Sequence, residues 1–221
     1  MKAMIMAAGR GERLRPLTDE VPKPLLKVGG KALIEHTLTN LRDAGFLDIV
    51  INHAHLGHKI VNYLGDGNRY GVAIQYSAEP EGALETGGGI RQAIDLLGHE
   101  PFLVVNGDIW TDFPLQNLPT RLSGLAHLVL VDNPAHHNKG DFYLQDTRVT
   151  LSHGKKLTFS GIGVYSPALF SHLKRGKYPL APLLRDAIAK SSVSGEYFNG
   201  KWIDVGTRER LKALEATLSN V

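Results

Sequence analysis

The chain of 221 residues contains no cysteine. This absence excludes disulfide bonds, cysteine-ligated zinc and thiol catalysis, and it fits a reducing compartment. Long apolar runs are also missing. The first one, 3–8, spans about six residues, whereas a secretory signal needs ~7–15 and a membrane-spanning helix ~20. We therefore expect a cytoplasmic protein that has no membrane partner.

The sequence has no linker, low-complexity run, charge block or fixed-period repeat. One compact domain, 1–221, is therefore predicted. The formal net charge is only +3, and basic residues are concentrated only in 10–27. That density suits a small polyanion, because a nucleic-acid groove would need a longer basic stripe with interleaved aromatic residues. We expect no nucleic-acid partner.

Short apolar runs alternate with helix-period segments in the first half, about 1–112. This order predicts an α/β fold with a Rossmann-like mixed, mainly parallel sheet flanked by helices. The second half, about 113–221, predicts shorter and partly antiparallel strands. The predicted strands are 3–8, 48–52, 72–77, 102–106, 127–131, 141–145, 149–152, 157–165 and 201–204. The predicted helices are 31–44, 56–64, 89–97, 167–173, 182–190 and one from about 207.

A glycine-containing loop, AAGRGERLRPLT, follows the first predicted strand. Ligands of open α/β sheets bind beyond the carboxyl ends of strands, where this loop must lie. Gly9 and Gly11 let backbone N–H groups approach phosphate oxygens, and Arg13 can add bidentate contacts. The glycines alone are equally consistent with a tight turn. The loop is not a Walker A motif, since no Gly-Lys-Ser/Thr follows, and Leu14 occupies the third glycine position of a dinucleotide fingerprint.

A lysine between two prolines follows in the segment PKPLL. The prolines stiffen the backbone around Lys23, which suits a side chain that must aim at a phosphate. A single loop lysine is usually only solvated. Its position within about fifteen residues of the glycine loop favours the phosphate-binding interpretation.

Together, the motifs GRGERLRPLT and PKP resemble the signature of the sugar-1-phosphate nucleotidyltransferases. The resemblance implies a first half that binds a nucleoside triphosphate and a second half that binds a sugar. It implies that Arg13 and Lys23 are catalytic residues in contact with the triphosphate. The nucleotide-binding residues that it implies are Ala8, Gly9, Gly11, Glu85, Thr86 and Gly87. The sugar-binding residues that it implies are Asn106, Gly140, Asp141, Ser160 and Gly161.

Two further segments, VVNGDI and WIDVGT, are similar to the metal-binding motifs of that family. They imply that Asp108 and Asp204 are ligands of Mg²⁺, the expected cofactor. Two carboxylates with phosphate oxygens suit this ion, which keeps several waters and rarely has an all-protein cage. Either aspartate alone is more often a strand-end turn or a helix cap. The combination with the phosphate loop favours a metal site.

Two departures from the family pattern affect substrate and assembly. The Glu-Lys-Pro motif of glucose-1-phosphate relatives is absent, and SHGKK (152–156) occupies its place. There is also no C-terminal extension of the kind that adds dimer surface in longer relatives. We therefore expect a monomer or a weak homodimer.

Four segments, VINHA, LETGGG, VNGDIWTD and KGDF, look most like the uridylyltransferases of cell-wall recycling. That resemblance implies transfer of UMP from UTP to N-acetylmuramate 1-phosphate. The alternatives are another nucleotide with glucose or mannose 1-phosphate, CTP with phosphocholine, and a catalytically silent nucleotide-sugar sensor. Retention of Arg13, Lys23, Asp108 and Asp204 favours an enzyme.

The histidine pairs His53-x-His55 and His136-His137 have no third metal ligand at a recognised spacing. Solvated or capping roles are therefore predicted for them. No Gly-x-Ser-x-Gly motif indicates a serine hydrolase.

Overall fold

The computed structural model describes residues 1–80 and 82–219. Its helices are α1 (Leu17–Glu20), α2 (Leu33–Asp43), α3 (Gly57–Leu64), α4 (Glu85–Leu97), α5 (Leu180–Ala189) and α6 (Arg208–Ser219). Its strands are β1 (Ala3–Met6), β2 (Lys27–Val28), β3 (Lys31–Ala32), β4 (Asp48–His53), β5 (Ala73–Ala78), β6 (Phe102–Asn106), β7 (Ile109–Thr111), β8 (Ala126–Val131), β9 (Phe142–Gln145), β10 (Arg148–Thr150), β11 (Lys155–Tyr165), β12 (Val193–Phe198) and β13 (Trp202–Asp204). Among these residues, no helix is both long and apolar enough to cross a membrane.

One large mixed sheet has the strand order β5-β4-β1-β6-β11-β8-β12-β10-β9. The neighbouring strands β5, β4, β1 and β6 pair in parallel, and β12 pairs in parallel with β8. The other pairings in this sheet are antiparallel. The predicted mixed α/β fold is therefore confirmed. In the parallel part, Met6 lies beside both Asn52 and Asn106, so the carboxyl ends of β1, β4 and β6 are level.

Helices cover both faces of the sheet because its strands are apolar on both sides. Ile5 packs in a core with Leu38 of α2 and Ile60 of α3. Met4, the preceding residue, points to the opposite core with Ile90 of α4 and Leu184 of α5. A third, smaller core packs the phosphate-loop residue Leu14 against Val205 and against Leu214 of α6. This third core therefore anchors the phosphate loop to the segment WIDVGT, which contains Val205.

The long strand β11 contains a bulge where it passes the sheet edge used by the site. Its register with β8 shifts between Phe159 and Gly163. The Ser160 hydroxyl partly replaces the lost ladder bonds, donating to Val129 O at 2.7 Å and accepting from the Ile162 N–H at 3.2 Å. Gly161 has a φ of 83°, which favours glycine. Such bulges re-aim a strand and are frequent beside active sites.

The structure differs from the predicted elements at several places, and it adds the short elements α1, β2, β3 and β7, which were not predicted. The helix predicted at 167–173 is only a short 3₁₀ turn, Pro167–Phe170. The strand β12 was not predicted, because its sequence VSGEYF mixes small and charged residues and is held by pairing with β8 and β10. The helix α4 begins at Glu85, four residues before the predicted start at 89.

The early start of α4 depends on three buried glycines, 87–89. The Gly88 N–H donates to Tyr178 O at 3.0 Å, and a Cβ on Gly87 would lie 2.9 Å from that same oxygen. A Cβ on Gly89 would lie 2.5 Å from Glu79 Oε1. Glycine at these positions therefore allows the first turn of α4 to pack directly against the neighbouring backbone and the Glu79 carboxylate.

We predict that Gly88→Ala destabilises the protein, although alanine is the better helix former by about 1 kcal/mol. The new Cβ would collide with the backbone oxygen of Gly176, which cannot move as a side chain would. Overpacking of this kind costs about 1–3 kcal/mol. Urea denaturation should show a lower midpoint for the variant. A stabilised variant would show that α4 does not pack as the structure has it.

Candidate active site

Most of the predicted site residues line two adjoining clefts at the level strand ends. The first cleft, of about 680 Å³, is lined by the phosphate loop, Lys23, Pro24, Asn52, Glu79, Glu85, Thr86, Asn106, Gly107, Asp108 and Gly206 among others. The second cleft, of about 330 Å³, is lined by Ile109, Pro134, His136, His137, Thr158, Phe159, Ser160, Trp202 and Asp204. Arg13, Asn106 and Asp108 line both clefts. A ligand spanning the two would pass these three residues.

The two glycines of the phosphate loop differ in their surroundings. Gly11 has a φ of 67°, and a Cβ there would lie 2.9 Å from Thr18 Cγ2. The buried Thr18 hydroxyl also donates to Gly11 O at 2.9 Å, which fixes the turn. A Cβ on Gly9, in contrast, would meet no atom within 4 Å. Gly11 therefore shapes the loop, while Gly9 leaves open space on the wall of the first cleft.

Lys23 is held almost completely out of solvent, with 8 % of its surface exposed. Its Nζ lies 2.5 Å from Asp108 Oδ2, and the Asp108 side chain is 40 % exposed. Pro22 is extended and Lys23 opens a short 3₁₀ turn, Lys23–Leu25, so the backbone directs the side chain into the cleft. A buried cation whose partner faces solvent is well placed to contact an entering phosphate as well.

Of the two aspartates predicted to bind metal, Asp108 lies in the turn just before β7, and Asp204 ends β13, which pairs with β7. In the β7–β13 pair, Asp204 is opposite Ile109, and the Val205 N–H donates to Asp108 O at 2.7 Å. Asp204 is paired with Arg210, whose Nη1 lies 2.7 Å from each carboxylate oxygen. Within residues 1–80 and 82–219, no group of three or more His, Asp or Glu side chains could hold a metal ion. Two carboxylates that share a cleft suit Mg²⁺ whose remaining ligands are water and phosphate.

A buried polar network that the sequence analysis missed connects the phosphate loop to α4. The fully buried Asn52 accepts from the Ala7 N–H at 2.7 Å and donates to Glu79 Oε1 at 2.6 Å. Glu79 Oε2 accepts from the Leu84 N–H at 2.7 Å. The network fixes the start of the loop relative to the segment before α4. A polar residue at the end of an otherwise apolar strand was the signal available in the sequence.

The predicted nucleotide residues on α4 divide into two groups. Glu85 and Thr86 line the first cleft, and Glu85 has a φ of 59°, which is unusual for a residue with a side chain. Lys177 Nζ lies 3.7 Å from Glu85 Oε1. Gly87 is buried in the helix packing described above, and the role predicted for it stays a prediction.

The predicted sugar residues surround the second cleft in different ways. Asn106 and Ser160 line it directly, and Gly161 lies beneath Asn106, where a Cβ would be 2.6 Å from Asn106 Nδ2. Gly140, with a φ of 58°, packs against Asn133. Both oxygens of Asp141 are occupied, one by His137 Nε2 at 2.9 Å and the other by the Phe159 N–H at 2.9 Å. Asp141 therefore supports His137, which itself lines the cleft.

The two lysines of the segment SHGKK do not line the second cleft. Lys155 pairs with Asp132 at 2.8 Å and lies over the Tyr197 ring, and Lys156 lies over the Tyr143 ring. The cleft instead has Arg13, His136 and His137. The two histidines were predicted to have solvated or capping roles, because nothing in their spacing relates them to Asp204 or Asp141.

A third hollow, of about 800 Å³, adjoins the first cleft beside 53–58. His53 lies on its wall, in edge-to-face contact with Tyr76. Burial lowers the pKa of His53, and the nearby Glu79 carboxylate opposes that shift. His55 and His58 also line it, but they form no metal-binding group with His53 in the described part of the chain.

The mixed sheet, the phosphate loop at its edge and the paired clefts define a nucleotide-dependent transferase. The family model of the nucleotidyl transferases matches residues 2–142, and the chain belongs to that family.

Two relatives and one solved structure show how similar the chain is to known members. It is 53 % identical to the N-acetylmuramate alpha-1-phosphate uridylyltransferase of Neisseria meningitidis over 98 % of this chain and 97 % of the relative. It is 33 % identical to the enzyme of the same name from Caulobacter vibrioides, over 98 % of this chain and 96 % of the relative. The fold matches a putative glucose-1-phosphate thymidylyltransferase from Bacillus anthracis with a TM-score of 0.88 at 24 % identity. The match covers 100 % of this chain and 96 % of the other.

We predict that Asn52→Leu lowers the free energy of unfolding by about 2 kcal/mol or more, because it leaves the buried Ala7 N–H without a partner and removes a hydrogen bond from the half-buried Glu79 carboxylate. Chemical denaturation measures the loss. Asn117→Leu, at an exposed position, is the matched control and should change stability by less than about 0.5 kcal/mol. Equal effects of the two substitutions would show that the network is not required.

Proposed function

We propose that the chain is a cytoplasmic uridylyltransferase that transfers UMP from UTP to N-acetylmuramate α-1-phosphate. The products are UDP-N-acetylmuramate and pyrophosphate, and the reaction serves peptidoglycan recycling. The observation that carries the proposal is the arrangement of four residues around the adjoining clefts: Lys23 lines the first, Asp204 lines the second, and Arg13 and Asp108 line both. The sequence identity with two N-acetylmuramate alpha-1-phosphate uridylyltransferases supports the choice of substrates.

In the proposed reaction, a phosphate oxygen of the sugar attacks the α-phosphorus of UTP in line with the departing group. The new P–O bond forms as the bond to the β-phosphate oxygen breaks, and pyrophosphate leaves. The attacking phosphate is already ionised near neutral pH, so no general base is needed. Catalysis is then positioning and charge neutralisation. The first cleft would hold the nucleotide and the second the sugar, with Arg13 between them.

Mg²⁺ is the proposed cofactor, with Asp108 and Asp204 as its protein ligands. Both side chains offer carboxylate oxygens, are partly exposed and line the second cleft. When bound, the ion would neutralise phosphate charge and help to align the reacting groups. Lys23 would act from the other side of Asp108, where its buried ammonium group can reach both that carboxylate and a phosphate.

Two alternatives to the proposed function are a sensor without activity and an enzyme with a different acceptor. A sensor without activity would need no catalytic constellation, yet Arg13, Lys23, Asp108 and Asp204 are all retained and converge. A different sugar 1-phosphate or phosphocholine would use the same chemistry in the first cleft. The second cleft contains Arg13 and two histidines, which can donate hydrogen bonds to an acidic substituent of the sugar.

The decisive experiment is a panel of nucleoside triphosphates against sugar 1-phosphates and phosphocholine, read by pyrophosphate release with Mg²⁺ present. We expect the highest kcat/KM with UTP and N-acetylmuramate α-1-phosphate. A higher value with another pair would replace the proposed substrates. Release with none of the pairs would favour the sensor.

We predict that Lys23→Ala lowers kcat by ~10²-fold or more, because the substitution removes a preorganised cation from the developing transition-state charge. Steady-state kinetics with the preferred substrate pair measure the effect. Lys155→Ala is the matched control, since Lys155 pairs with Asp132 outside both clefts and should leave kcat unchanged. Near-normal turnover of the Lys23 variant would refute the role.

A further inference from the structure

Arg210, in the first turn of α6, forms the tightest contact with Asp204. One nitrogen, Nη1, lies 2.7 Å from both carboxylate oxygens, and the Arg210 side chain is only 16 % exposed. His136 Nε2 lies 3.1 Å from Asp204 Oδ1 and also contacts Arg210 Nη1. Arg210 Nε is buried and has no hydrogen-bond partner within 1–80 and 82–219. The guanidinium therefore uses one of its three nitrogens on Asp204 and keeps further donors in reserve.

Charge compensation among the side chains of the site opposes the entry of a free divalent cation. Each proposed metal ligand already has a cation of its own: Asp108 has Lys23, and Asp204 has Arg210. Arg13 adds a further positive charge where the clefts join. A divalent cation entering alone would find both proposed ligands, Asp108 and Asp204, already paired, and it would be repelled by Lys23, Arg13 and Arg210. A nucleoside triphosphate brings several negative charges, which attract the cation.

We propose that Arg210 is a positioning residue that holds Asp204 and withholds it from a divalent cation until the nucleoside triphosphate has entered. This inference rests on the proposed function, since the metal role of Asp204 belongs to it. It assigns to α6 a part in the order of ligand binding, and Arg210 lies outside every segment that resembled a motif of the family.

The surroundings of Gly206 show how Arg210 can release Asp204. A Cβ on Gly206 would lie 2.9 Å from Arg13 Nη2 and would collide with Arg210 Nη2. Both guanidinium groups thus face the same small space, and Gly206 lines the first cleft. A phosphate held there by Arg13 gives Arg210 a second anion to bind, through donors that Asp204 does not use. As Arg210 turns toward the phosphate, an Asp204 oxygen becomes free for the cation.

The test is a titration of the full chain with Mn²⁺ alone, followed by electron paramagnetic resonance without nucleotide or sugar. We expect Arg210→Gln to bind Mn²⁺ at least tenfold more tightly than the unsubstituted protein, because Asp204 loses its competing cation. Lys212→Gln removes the same charge from an exposed position on the same helix and should leave Mn²⁺ affinity unchanged. A structural role alone would not raise metal affinity. Unchanged or weaker Mn²⁺ binding by the Arg210 variant overturns the proposal.

Two further variants make the result specific. Arg210→Gln combined with Asp204→Asn should lose the gain, and a gain that persists would place the cation elsewhere and refute the proposal. Arg210→Met replaces the glutamine variant if circular dichroism shows that variant to be unfolded, and the same gain is expected of it. The Mn²⁺ titration needs no turnover, so failure of the substrate panel and failure of this inference are distinguishable. In turnover, we expect the Arg210 variant to have a lower kcat, because Asp204 is no longer oriented.

Discussion

In-register parallel pairing of β1 with β4 and β6 places Met6, Asn52 and Asn106 side by side at one edge of the sheet. Every part of the candidate site depends on this alignment. The phosphate loop leaves the sheet after Met6, Asn52 ties that loop to Glu79, and Asn106 stands between the two clefts. A slip of one residue in this register would turn the alternating apolar side chains to the wrong cores and separate the loop from its supports.

The site combines rigid support with compensated charge. Lys23 and Arg210 each neutralise an aspartate that would otherwise face the cleft unpaired. Removing one partner of such a pair leaves a poorly solvated charge, so these residues contribute to stability as well as to chemistry. In the proposed function, these ion pairs couple the binding of the nucleotide to the binding of the metal.

The second half of the chain shapes the site by pairing strands from distant positions. The bulge in β11 places Ser160 in the wall of the second cleft, and Trp202 Nε1 donates to Ser160 O at 2.9 Å. Asp141 holds both His137 and the Phe159 backbone. The second cleft is therefore lined by histidines held by aspartates, while Lys155 and Lys156 lie over tyrosine rings and do not line it.

The sequence alone determined the α/β class and most strand positions, and it singled out Arg13, Lys23, Asp108 and Asp204 as candidate site residues. These follow from apolar periodicity and from motifs whose residues are adjacent in the chain. Only the tertiary structure revealed the contacts of Asn52, Glu79, His136, His137 and Arg210, and it decided that α4 begins at Glu85. Each of these depends on a contact between residues far apart in sequence, such as Asn52 with Ala7 or His136 with Asp204. Local pattern cannot encode such contacts, because they form only once the sheet and its helices have packed.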